Sequence, residues 1–163
     1  MAAKTKSEST RIADQLRRAF EGEAWHGPSV LEILEGVDAE TAAARPMADA
    51  HSIWEIVLHI AVWDGAALVR MNGKVTQPSG DKDWPPAKDV SPAAWKSALQ
   101  HLKKTHADLV NAVENLPESR LTDKVPGKEP DFYTFYYMLH GIAQHELYHA
   151  GQIALLKKAV SVK

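Results

Sequence analysis

His145-Glu146-Leu147-Tyr148-His149 sets two imidazoles four residues apart. On an α-helix that step turns the chain by about 400° and advances it about 6 Å, so both rings face the same way. Two nitrogens so placed can reach one metal ion at about 2.0–2.1 Å, and neutral imidazole suits zinc, nickel, copper or iron. Catalytic zinc sites add a third protein ligand and keep one position open. The same H-E-x-x-H spacing occurs in zinc proteases, but their further ligands are missing. Gln152 and Leu155 stand where H-x-x-G-x-x-H requires Gly and His, and no residue after His149 is Asp, Glu or His.

The third ligand must therefore come from upstream. His59, among Ile56, Ile60 and Trp63, lies close to the apolar face of an earlier helical segment. His59, His145 and His149 are thus the expected metal ligands, and the bland alternative is a set of core histidines bonded to one another. His106 falls on an apolar stripe too, as a fourth ligand, a group supporting a ligand, or a buried histidine with ordinary partners. Glu146 lies about 100° around the helix from the ligand pair, where it either reaches a metal-bound water as an acid–base group or makes an ordinary contact. Tyr148 and Gln152 flank the pair. Trp25 and His26, at a chain turn, are expected at the mouth, Trp63 in the core, and His51, His101 and His140 at the surface or in caps.

The elements that must hold these residues read as all-α. Ile12, Leu16, Ala19 and Phe20 share one face of a helix from about Ser9 to Glu21. Ser29 caps a short helix that Gly36 ends, and a turn is expected from Asp38 to Pro46. Ser52 with Glu55 three residues later is a capping box for a helix reaching about Asn72. The stretch from Gly73 to Val90, with three prolines, two glycines and Trp84, has no periodicity and reads as a crossover or lid. Ser91 and Pro92 start a third long helix with Trp95, Leu99, Leu102, His106, Leu109, Val113 and Leu116 inward. Asp131 is the candidate cap of the last helix, which runs to about Val160. Four long amphipathic helices imply a four-helix bundle with long connections. Residues 1–8 are expected to be a flexible N-terminus and 9–163 a single domain.

Composition narrows the function. With 163 residues, the chain can bury a core without a structural metal, so a metal would serve function. A net charge of -2 points to no nucleic-acid or membrane partner. The absence of cysteine removes disulfides, thiolate zinc sites and cysteine nucleophiles, and a cytoplasmic location is expected.

Three segments resemble the DinB-like proteins and the related YfiT-type metal-dependent hydrolases. They are Trp25-His26-Gly27-Pro28-Ser29-Val30-Leu31-Glu32-Ile33-Leu34, His51-Ser52-Ile53-Trp54-Glu55 with Leu58-His59-Ile60-Ala61-Val62-Trp63, and His145-Glu146-Leu147-Tyr148-His149-Ala150-Gly151-Gln152-Ile153. The resemblance implies a bundle, often a homodimer, whose divalent metal is held by His59, His145 and His149. It also implies that some relatives transfer or isomerise with low-molecular-weight thiols such as bacillithiol, mycothiol or glutathione. The family residue after the first His of the pair is often Asp, and here it is Glu146. The expected function is a zinc- or nickel-dependent thiol transferase or hydrolase acting on a small molecule. The alternative is a non-catalytic, stress-related metal- or ligand-binding protein acting through its dimer surface.

Overall fold

A computed structural model describes residues 6–161. Of the expected N-terminal tail, residues 1–5 lie outside the described residues. Ser7 already caps a helix and Glu8 begins it, so the ordered chain starts before residue 9.

Among the described residues six α-helices form, four of them long: α1 (Glu8–Glu21), α2 (Val30–Leu34), α3 (Ala39–Ala43), α4 (Ile53–Met71), α5 (Pro92–Glu114) and α6 (Phe135–Ser161). Each start has a local cause. Ser29 and Ser52 make full capping boxes with Glu32 and Glu55, and the Ser91 hydroxyl accepts from Ala94 N ahead of Pro92. Caps of this kind contribute about 1 kcal/mol each. Where a turn was expected after Asp38, the Asp38 carboxylate instead accepts from Thr41 N at 2.8 Å and starts α3.

Asp131 does not cap α6. Val125 N donates to Tyr133 O and Phe135 N to Asp123 O, a bridge that pairs Lys124 with Thr134 and leaves Asp131 in the turn before it. The Thr134 hydroxyl then accepts from Tyr137 N, while Asp131 pairs with Lys124 at the surface.

α4 packs against α5 and α6, and α1 packs against the same two helices, so α1 and α4 stand diagonally across the bundle. Ile53, Trp54, Trp95, Leu102, Ile153 and Leu156 share one end of the core. Ile12, Ala67, Leu109, Val113, Phe135 and Met138 share the other. α4 and α5 therefore run parallel to each other, with α1 and α6 opposed to both. Parallel neighbours need a connection that travels the length of the bundle. Residues 72–91 are that crossover, whereas residues 115–134 stay at one end. Among the described residues no helix is long and apolar enough to cross a membrane.

Candidate metal centre

The structure brings His59 of α4 together with His145 and His149 of α6. His145 Nε2 lies 3.0 Å from His59 Nε2 and 3.0 Å from His149 Nε2. The rings are fixed from behind. His59 Nδ1 donates to the backbone carbonyl of Asp83 at 2.8 Å, and His149 Nδ1 donates to Gln152 Oε1 at 2.6 Å. A carbonyl oxygen can only accept, so both hydrogens sit on Nδ1, and both Nε2 lone pairs point inward.

Burial keeps the rings neutral. It lowers the pKa of His59, takes His145 to about 3 with help from the adjacent rings, and takes His149 to about 4 against the opposing bond from Gln152. His145 Nε2 can offer one hydrogen at most to the two lone pairs beside it, while its Nδ1 is buried without a partner. A cation satisfies all three Nε2 atoms at once, and this donor set fits a divalent transition metal. The three residues form a group able to hold a metal ion.

The crossover completes the site. Trp84 is sandwiched between His51 and His59, with both ring centroids at 3.7 Å and the planes nearly parallel. Asp83 Oδ1 accepts from Trp63 Nε1 at 2.8 Å and lies 3.2 Å from His59 Nδ1. In front opens a cavity of about 620 Å³, lined by the three histidines together with Trp63, Tyr133, Tyr137, His140, Tyr148 and Arg70.

Several expected placements change. Glu146 is not beside the cavity: it is fully buried and turned toward α5, because α6 is enclosed by neighbours on more than its ligand face. Trp25 and His26 are not at this mouth either. Trp25 is fully exposed, and both line a separate groove with Ala143 and Leu147. Trp63 is half-buried, packing against the core as expected while also lining the cavity. His51 and His140 contact site aromatics or the cavity rather than serving only as surface groups. Tyr148 does line the cavity, and Gln152 holds His149.

His106 belongs to a second group, deeper in the bundle. Its Nδ1 lies 2.9 Å from Glu146 Oε1 and 3.5 Å from Asp64 Oδ2, although the ring N–H aims at neither well enough for a proper hydrogen bond. All three side chains are essentially inaccessible, and Phe20 of α1 stacks on the imidazole at 3.8 Å. Burial disfavours the charged ring, but Asp64 and Glu146 outweigh it and push His106 up to about 9. Burial also raises both carboxyls, taking Glu146 to about 8. A neutral arrangement in this dry setting is an imidazolium, one carboxylate and one carboxylic acid. By spacing, these atoms too could hold a cation.

Sequence reasoning missed Asp64, Asp83 and Arg70. Asp64 and Arg70 were legible as charged residues inside an apolar helix. Asp83 acts mainly through its backbone carbonyl, which no side-chain pattern encodes.

Helices enclosing a histidine cluster beside an aromatic cavity define an all-helical protein with a group able to hold a metal ion. A family model described as the DinB superfamily matches residues 24–153, and the chain belongs to that superfamily. No curated protein and no solved structure gives a match.

Proposed function

We propose that this chain is a metal-dependent enzyme, a thiol transferase or hydrolase, whose single divalent ion, zinc or nickel, is held by His59, His145 and His149. The observation that carries the reading is the meeting of three neutral imidazole nitrogens at the wall of an open cavity. When bound, the ion supplies Lewis acidity without spending its charge on anionic ligands, which favours the anionic form of a water or thiol.

The chain's own residues do the rest. Asp83 and Gln152 hold the ligand rings in the tautomer that binds metal. Trp84 covers one face of His59 and limits water there. Proton transfer falls to groups that reach the cavity, such as Tyr148, because Glu146 is sealed in the core.

Protein purified without chelator is expected to carry about one zinc or nickel per chain, since structural and catalytic sites of this donor type bind tightly. His59→Ala and His149→Ala should each remove most of it by elemental analysis. Full occupancy in both variants would refute the ligand assignment. With metal bound, turnover of thiol-plus-electrophile pairs or of esters and amides supports the enzyme. No turnover in any class would favour the non-catalytic binding protein.

The proposal extends to a cytoplasmic homodimer without nucleic-acid or membrane partners. Exposed Phe132, Tyr137 and Leu155 offer apolar surface for a second copy. Light scattering should return twice the chain mass, and a monomer would remove the dimer.

A further inference from the structure

Arg70 is the most deeply buried lysine or arginine among the described residues, 1% exposed, and it pairs with no carboxylate there. A buried charge normally has a counter-ion, because taking it out of water is costly. Here the guanidinium Nε and Nη2 donate to the carbonyl of Thr76, and Nη2 also to Gln77 Oε1. These bonds fix the side chain at the start of the crossover. They leave its charge unbalanced.

The remaining nitrogen, Nη1, has no partner among the described residues and is not one of the polar atoms sealed in the core. Arg70 lines the same cavity as the three histidines. A second cation approaches from the other connection: Lys128 Nζ donates to the same Gln77 Oε1 at 2.6 Å and lies 5.2 Å from the Tyr133 ring. Burial, and then the charge of Arg70, pull the Lys128 pKa below its usual value, as expected when two like charges meet without an acid between them.

The cavity therefore has two poles. His59 and Arg70 are eleven residues apart on α4, three turns, which puts them on one face about 16 Å apart along the axis. Trp63 stands between, 5.4 Å from the Arg70 guanidinium carbon and 6.0 Å from the His145 ring centre. Tyr133 and Tyr137 line the same cavity. Asp83 is the carboxylate that lines it, and that group is held by Trp63 and His59 at the histidine end.

We propose that the Arg70 end of this cavity binds the oxyanion group, carboxylate or phosphate, of a small substrate with an apolar or aromatic body that lies along Trp63 and places its reacting atom at the three histidines. The substrate class is thus an organic acid or phosphate ester, and the assignment of a reacting end rests on the metal-dependent reading of the same cavity. The oxyanion supplies the counter-charge that the fold withholds from Arg70, through charge-assisted hydrogen bonds to Nη1. Arginine orients such a group better than lysine would, because its donors lie in a fixed plane.

Calorimetric titration of the full chain with phenylacetate, phenyl phosphate and the neutral isostere phenylacetamide tests this, in zinc-loaded and metal-stripped protein. At least one acid should bind ten times or more tightly than the amide in both forms, and the tighter acid identifies the oxyanion. Arg70→Gln should reduce that preference to less than twofold, and Lys128→Gln should lower it severalfold. The comparison in the unaltered protein needs no variant to fold, and Lys128, on a half-buried connection, provides a second variant. Equal binding of acids and amide overturns the proposal. So does a preference that appears only with zinc, since the anion would then be at the histidines. Failure of zinc to bind leaves the metal-stripped titration to decide, so the two readings fail separately.

Discussion

His106→Ala is expected to lower the midpoint of thermal unfolding by roughly 10 °C, the largest stability loss of any single polar substitution in this chain. Among the described residues the imidazole is the one basic group facing Asp64 and Glu146, each on a different helix, and all three side chains are sealed from solvent. Removing one partner of a buried ionic group costs about 3–5 kcal/mol, because the charge left behind must be neutralised or stay unpaired. For a chain of this size each kcal/mol moves the midpoint by about 2–4 °C. Loss of the Phe20 stack and the space left by the ring add to the cost. Calorimetry of the purified variant measures it. A shift below about 3 °C, one kcal/mol or less, would mean that the three groups contribute little to holding the helices together.

Metal loading should produce a shift of similar size in the opposite direction. Ligand that binds only the folded state at about 1,000 times its dissociation constant stabilises by about 4 kcal/mol. Zinc added to chelator-stripped protein is therefore expected to raise the midpoint by about 8–16 °C. The ion would tie α4 to α6 and, through the carbonyl of Asp83 on His59, hold the crossover against both. In His149→Ala the gain should fall below about 2 °C, since two imidazoles remain and affinity drops steeply. If the full gain survives loss of all three histidines, the ion is elsewhere, and Asp64, His106 and Glu146 are the group positioned to hold it.

Much of this architecture was legible in the sequence because short-range signals fix it. Ser52 with Glu55, and Ser91 with Pro92, mark helix starts by chemistry that operates within one turn. The inward stripe of α5 is buried at Trp95, Leu102, His106, Leu109 and Val113, with Leu99 half-buried. The meeting of His59 with His145 and His149 could be anticipated because each stands where an apolar residue would pack. Which of its two roles Glu146 takes was not legible, for a physical reason. Periodicity identifies one face of a helix, whereas α6 contacts helices on several sides, so a residue 100° from the ligands still points into the core. Arg70 and Asp83 depend on how the crossover folds back, and a segment without periodicity says nothing about its own path. The α6 start lies past Asp131 because the isolated Lys124–Thr134 bridge, which no helical periodicity encodes, delays the helix.

The crossover gives the cavity a wall that obeys different rules from its floor. One residue inserted between His145 and His149 would swing one imidazole by about 100° and advance it 1.5 Å, dispersing the cluster. A residue added to the crossover away from Thr76 and Gln77, which hold Arg70, and from Asp83 and Trp84, which hold His59, meets no such periodic constraint, and surface connections absorb length changes cheaply. Variation can therefore remodel the shape of the chamber while the rings behind it keep their spacing, so the histidine cluster and the space in front of it are free to change independently.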